Sequence, residues 1–479
     1  MTTETIESST RDDRYYLMKA PLNRALVHLA VPMMAAVSVG VVYNIVNAGF
    51  IGSLGSTPLL AAITFGLPLT ALMMAIGGVF GTGGSSAVAR LLGELETADG
   101  DRAAELRTSV RRFSAFTVWG AAIVGVVVAV AGLLALGPIT HLLGADGDAF
   151  APTAAYAGVL LAGTPVLVVG FAIEQLVRAE GAAKASMVAI IASTVANLGL
   201  DVLFILVLHW DVAGAALAIL ASNVVTIAYL AGYLHRRSPE IRIGLSWFHP
   251  DLATAKEVFG VGVSELLMSS FLVVSSLLFN NVAVSYGDSL LAGLGIAQRI
   301  VQVPEMLAMG VAMGAMPLIA TTFGAGLRRR TRSAMLHSAA WVAVIVGVFA
   351  TPLFLLGEQV LIPFSTDAAV LTMGATVLTA LLVSALFNGF TGLVITYFQA
   401  TGQAGPAMIL SVTQGVLFIP VLLAAHAWFG LTGTIWAITV SEVLCFGAAI
   451  ALLALRRAGT RSMDAAALAD AAAAAAALS

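Results

Sequence analysis

Six ionisable side chains, Glu174, Asp201, Glu265, Arg299, Glu305 and Glu442, stand within runs of apolar sequence. A charged group at the centre of a bilayer costs at least about 2.5 kcal/mol on insertion scales, so each of these residues is a candidate for function. Asp201 combines best with its neighbours. Asn197 precedes it by four residues, which places an amide and a carboxylate on one helical face. Together they offer hard oxygen ligands for a cation such as Na+, or an acid that can take up and release H+. Asp201 also lies about eight residues, roughly 12 Å of helical rise, from the end of its run. Glu265 and Glu305 are the alternative acids of the second half of the chain, and Glu442 stands near the middle of the last apolar run. Arg299 precedes Glu305 by six residues, a spacing that does not bring two side chains together on a helix, which leaves a partner on another helix such as Glu265. Glu174 precedes Arg178 by four and is expected to pair with it.

The elements that must position these groups are set by composition. The chain has 479 residues, 59% hydrophobic and 10% charged, against about 25% charged in ordinary soluble domains. Residues 25–89 and 368–441 contain no Asp, Glu, Lys or Arg. About 20 apolar residues cross the hydrocarbon core as a helix, and the runs are continuous instead of alternating, so helices are expected and a barrel is not. Charges and Gly/Pro clusters divide the chain into twelve segments: 23–52, 57–90, 109–137, 150–177, 184–209, 212–235, 256–285, 290–324, 333–356, 367–398, 405–428 and 431–456. Numbered alternately from a cytoplasmic N-terminus, the inner connections and tails hold 22 of the 23 cations, as short cytoplasmic loops should. The exception is Arg299. The polar first 20 residues lack a short apolar region ahead of a cleavage site, so no removable signal peptide is expected. The lone Cys445 reads as a small buried hydrophobe.

The net charge of −3 gives no field for nucleic acid. No phosphate loop, HExxH or clustered-aspartate motif is present to support an ATP-driven pump or a membrane-embedded enzyme. An internal repeat divides the chain: 178–187 aligns with 399–408, and 214–225 with 433–444. Offsets of 221 and 219 fit six helices plus loops, so the two copies share one orientation. The expected fold is an all-α polytopic membrane protein, with 12 transmembrane helices in two like-oriented six-helix lobes around a central cavity. Its parts are a cytoplasmic tail (1–22), an N-lobe (23–237), a cytoplasmic linker (238–255), a C-lobe (256–456) and an alanine-rich cytoplasmic tail (457–479).

Several strings then point to a family. YNIVNAGFIGSLGSTPLLAA from Tyr43, GTGGSSAVARLLGE from Gly81, RAEG from Arg178, NLGLDVLFI from Asn197, GAALA from Gly214 and YFQATGQ from Tyr397 resemble the MATE family of multidrug and toxin extrusion antiporters. The likeness covers residues 22–456 and is closest to the bacterial branch of MepA-like and DinF-like exporters. It implies a secondary active exporter in a bacterial plasma membrane, working by alternating access with H+ or Na+ as coupling ion. It implies no cofactor, no ATP, bulky and often cationic organic substrates, and a monomer with both termini inside. Export or flipping of a single metabolite or lipid-linked precursor is the alternative.

The resemblance assigns Asn197 and Asp201 to the family's cation site and Pro32 to the bend-forming proline of its first helix. Asn47 departs from it, standing where the family usually carries an aspartate, and Ile219 replaces a threonine oxygen ligand of some relatives. The implied site then has one negative charge instead of two, neutralised by one H+ or one Na+. The GGVFGTGG cluster (77–84) is expected to allow close helix packing. Met33, Met34, Met73, Met74, Met306, Met309 and Met313 are either core filling or the lining of an adaptable pocket.

Overall fold

The computed structural model describes residues 13–53, 57–365 and 367–477; the side chains of residues 41, 44–53, 57, 58, 60, 272, 273, 280, 288, 289 and 457–477 fall outside the description. Numbering the helices longer than ten residues gives α1 Leu22–Ser53, α2 Thr57–Leu95, α3 Gly100–Leu134, α4 Phe150–Ala162, α5 Thr164–Ala179, α6 Ala183–Asp201, α7 Asp211–Arg237, α8 Leu252–Val284, α9 Asp288–Gly324, α10 Arg328–Leu356, α11 Ala368–Ala400 and α12 Ala404–Ala477. No strand occurs among the described residues. Among the described residues, ten helices are long and apolar enough to cross a membrane, and a bent segment, 147–179, makes an eleventh. The bend of 51° falls at Gly163, beside Pro165 at the start of α5. A helix-starting proline lacks only a donor that would be unsatisfied there anyway, so Pro165 begins a new helix inside what the sequence marks as one segment, 150–177. Within α12, Gly430 is non-helical (φ 57°, ψ −131°).

The repeat persists in the backbone. Gly181 after α5 and Gly402 after α11 share a left-handed φ, 87° and 72°. Ser222 and Ser441 each donate to the carbonyl three residues earlier, Ile219 and Ile438, at 2.8 Å.

The segment between the halves is docked against α3. Ile241 is buried, the Trp119 indole donates to the Ile243 carbonyl at 2.9 Å, and the Arg111 guanidinium lies 5.1 Å from the centre of the Trp247 ring. The helix that follows starts at Leu252, four residues before the expected lobe boundary. Asp251 caps it by accepting from the Thr254 backbone amide at 3.4 Å. That cap converts a polar stretch, HPDLATAKE, into a helix N-terminus.

The apolar core has a telling division. One cluster draws on both halves, including Leu29, Val88, Leu176, Leu318 and Leu393, near the arginine-rich ends of the helices. Toward the opposite ends the halves have separate clusters, one around Leu69, Tyr156, Leu160 and Ile205, the other around Phe279, Leu294, Leu381 and Phe418.

The shared region is closed by glycines in a two-fold pattern. A β-carbon at Gly83 of α2 would collide with the Val258 carbonyl of α8, and one at Gly314 of α9 with Ala30 of α1. Gly262 similarly abuts Val79, and Gly310 abuts Met34. On the axis, Gly93 meets Thr321 and Gly324 meets Arg90. The α2 and α9 members (79 and 310, 83 and 314, 90 and 321, 93 and 324) all differ by 231. Small residues let helix backbones approach this closely, as the sequence of the 77–84 cluster suggested.

Candidate functional site

Asp201 ends α6, where the chain passes into a π-helical turn, Val202–Val207. Such turns recur at functional sites because they offset side chains from the regular ladder. His209 and Asp211 beyond it have positive φ, 52° and 46°. Asp201 is 1% exposed and Asn197 4% exposed. The Asn197 amide nitrogen donates to Ser222 Oγ on α7 at 3.4 Å, and the Ser193 hydroxyl donates to the Ser222 carbonyl at 3.0 Å. Asn197 Oδ1 and Asp201 Oδ2 are both buried without a donor. Two unmet acceptors one turn apart are costly in an apolar interior, and the arrangement suits a bound proton or a hard cation.

Two tyrosines complete the surroundings. Tyr43 of α1 and Tyr156 of α4 lie close enough to feel the Asp201 charge, and Tyr156 also meets the Thr70 side chain. Gly66 makes room for the Tyr156 ring, because a β-carbon there would overlap it. Neither tyrosine was singled out in the sequence, although Tyr43 stands one turn before Asn47. Asn47 lies on α1, with its side chain outside the described residues. Ile219 contributes a backbone acceptor, bonded by Ser222 and by the Asn223 amide at 2.9 Å. Pro32 is buried within α1, whose helix runs through it.

The other intramembrane candidates separate into distinct environments. Glu265 of α8 accepts from the Gln399 amide at 3.4 Å and abuts Gly78 of α2. Glu442 accepts from the Gln414 amide at 3.2 Å, and the same nitrogen reaches Asn388 Oδ1 at 3.1 Å. Glu305 of α9 is the charged neighbour of Glu442. The three amides, Asn388, Gln399 and Gln414, were legible in principle, being polar groups inside the charge-free stretch 368–441. Arg299 is exposed and forms no ion pair with Glu265 or Glu305; the Glu265 carboxylate is committed to Gln399 instead. Glu174 pairs with Arg178 as its spacing required. Cys445 is a free, buried thiol. Of the methionines, Met33 and Met73 are core residues and Met309 is 48% exposed. Among the described residues, no group of three His, Cys, Asp or Glu is placed to hold a metal ion.

At the arginine-rich face, a short helix at residues 13–18 is held by both halves. Asp13 pairs with His28 at 2.8 Å, Tyr16 stacks on the His28 ring at 3.9 Å, and Arg14 meets Glu96 at 3.1 Å. Arg330 of α10 donates to the carbonyls of Leu17, Tyr16 and Ala20 at 3.2, 3.3 and 2.7 Å. Beneath the helix, Glu180 accepts from the Ser238 hydroxyl. Burial, above all, pushes its carboxyl from 4.5 up to about 7.

Comparison with known proteins agrees with this architecture. A family model described as MatE matches residues 32–203 and 265–423. The chain is 35% identical over 443 residues to the multidrug export protein MepA of Staphylococcus saprophyticus, covering 92% of this chain and 96% of that protein. MepA of Staphylococcus aureus strain NCTC 8325 is 33% identical over 445 residues, with the same coverage. The fold matches a crystal structure of MATE in complex with MaD3S, with a TM-score of 0.84 and 24% identity, over 93% of this chain and 98% of that one. It also matches an outward-facing conformation of a multidrug resistance MATE family transporter, with a TM-score of 0.83 and 24% identity, over 92% and 97%.

Proposed function

The chain belongs to the MatE family, and from that premise we propose that it is a secondary active exporter of varied bulky organic compounds, often cationic, in exchange for H+ or Na+. Membership makes it a multi-pass membrane transporter, and the relatives' names describe drug export. The observation that carries the coupling is the pair of unpartnered oxygens, Asp201 Oδ2 and Asn197 Oδ1, buried on residues one turn apart on α6. One H+ or one Na+ there would cancel the single carboxylate charge and supply the missing partner.

The division of the apolar core supports an outward-facing state. The shared cluster and the glycine seams join the halves at the arginine-rich face, which the charge distribution assigns to the cytoplasm. The separate clusters leave the opposite side divided. Rocking the halves about the shared region would alternate access to the site. The span 404–456 has 53 residues; at 1.5 Å per residue it is about 80 Å long, more than twice the hydrocarbon thickness of about 30 Å. Two crossings meeting at Gly430 bring the total to twelve, with both termini inside a bacterial plasma membrane.

Efflux of a cationic dye from proteoliposomes under an imposed pH or Na+ gradient tests the assignment. Asp201→Asn is expected to lose coupled efflux under both gradients, and Asn47→Asp to strengthen the dependence on protons. Normal efflux by Asp201→Asn under both gradients would overturn the site. A panel that moves only one endogenous compound would replace multidrug export with the single-substrate alternative.

A further inference from the structure

The glycine seams obey the internal two-fold, but the polar contacts between the halves do not. Gln399, 5% exposed at the end of α11, donates its side-chain amide to Ser264 Oγ at 3.0 Å and to Glu265 Oε2 at 3.4 Å, both on α8. Its backbone carbonyl accepts the hydroxyl of Ser86 on α2, in the other half. One turn along α2, Arg90 donates to Ser86 Oγ, to the Ala400 carbonyl at 3.3 Å, and to Glu257 Oε1 at 2.7 Å. Gly402 makes room for that guanidinium, since a β-carbon there would sit 2.8 Å from Arg90 Cζ. A continuous polar path therefore joins the Glu265 carboxylate to the closed face through one residue, Gln399.

The two-fold mates of these groups cannot build the same path. The 231-residue offset of the seams carries Ser86 onto Pro317 and Arg90 onto Thr321, and the 221-residue repeat carries Gln399 onto Arg178. Met34 and Gly262 are equivalent across the seams, so Glu265 falls on Val37. Proline offers no hydroxyl and valine no carboxylate. The packing device is used twice, the polar one once.

We propose that Gln399 is a positioning residue that ties the charge state of Glu265 to the lock between the halves at Ser86 and Arg90; this rests on the antiport reading above. An ionised Glu265 holds the amide by a charge-assisted hydrogen bond, about twice as strong as a neutral one. That bond fixes the end of α11, whose carbonyls at 399 and 400 receive Ser86 and Arg90. Neutralising Glu265 with H+ weakens the hold, frees the α11 terminus and lets the face open. The charged groups around Glu265 do not compete for it: α2 presents Gly78, the 404–441 part of α12 carries no charge, Arg299 forms no ion pair with it, and Glu305 has Glu442 as its neighbour.

The test is the distance between spin labels at the exposed positions Arg112 and Arg332, one in each half, measured against pH in liposomes in a Cys445→Ala background, alongside dye efflux. In the parent the ratio of open to closed populations is expected to rise at least tenfold as the pH falls. In Gln399→Leu that pH dependence is lost, in Gln399→Asn its midpoint shifts, and in Ser86→Ala the open form is enriched at every pH. A parent-like pH dependence in folded Gln399→Leu, or an unchanged ratio in Ser86→Ala, overturns the proposal. If Gln399→Leu does not fold, an unmoved midpoint in Gln399→Asn overturns it equally. Loss of efflux in Asp201→Asn together with a parent-like Gln399→Leu defeats this inference alone, normal efflux in Asp201→Asn defeats the Asp201 site, and a parent that shows no efflux under either gradient defeats the antiport reading itself.

Discussion

Gly314→Ala is the sharpest probe of the closed face. A β-carbon at Gly314 would lie 2.5 Å from Ala30 Cα, 2.6 Å from Ala30 N and 2.8 Å from Leu29 C. All three are backbone atoms of α1, so no rotamer change relieves the overlap. Restoring ordinary van der Waals contact requires α1 and α9 to part by roughly 1 Å, and overpacking of this kind costs about 1–3 kcal/mol. The helix-propensity gain of alanine over glycine, about 1 kcal/mol, persists in either arrangement of the halves and does not offset the clash. The penalty falls only on the state in which the halves meet here. The open-to-closed ratio should therefore rise by about five- to 150-fold, since 1.4 kcal/mol is a factor of ten. Spin-label distances across the arginine-rich face, read beside thermal stability in detergent, provide the assay. Gly83→Ala, its two-fold mate against Val258, should act in the same direction, and Gly447→Ala, with nothing within 4 Å of its added carbon, should do nothing. An unchanged population ratio in Gly314→Ala, or an equal effect in Gly447→Ala, would refute the assignment of the seam to a gate.

Three further outcomes are expected. Glu180 has its carboxyl raised from 4.5 to about 7 by burial, with Arg14, Asp13 and Glu240 as its charged neighbours. Between those values the folded chain holds a proton that the unfolded chain releases, so stability should fall by about 3 kcal/mol as pH rises through that window; thermal melts should show the slope flattened in Glu180→Gln. Arg330→Ala removes three charge-assisted bonds to the carbonyls of residues 16, 17 and 20. That loss should cost about 2 kcal/mol locally and raise hydrogen exchange over residues 13–20, with exchange in α6 unchanged. Cys445, 1% exposed, should resist a polar maleimide in the native protein and react once it is denatured.

The sequence by itself determined the helical, membrane-spanning class, the internal repeat and the family, because each is carried by one-dimensional signals: continuous apolar runs, cations confined to alternate connections, and short strings in register. It also placed Asp201 and Asn197 on one face, since a helical turn fixes that relation locally, and it found the Glu174 and Arg178 pair for the same reason. Pairings between helices were beyond it. The sequence left Glu265 as a partner for Arg299, whereas the fold gives Glu265 to Gln399, more than a hundred residues away. Tyr43 and Tyr156 join Asp201 from two other helices, and the docked segment before Leu252 depends on Trp119 and Arg111 of α3. Only the tertiary structure decides which face of one helix meets which face of another. In this chain that decision rests on shape, glycine against backbone, for which charge and hydropathy leave no linear trace.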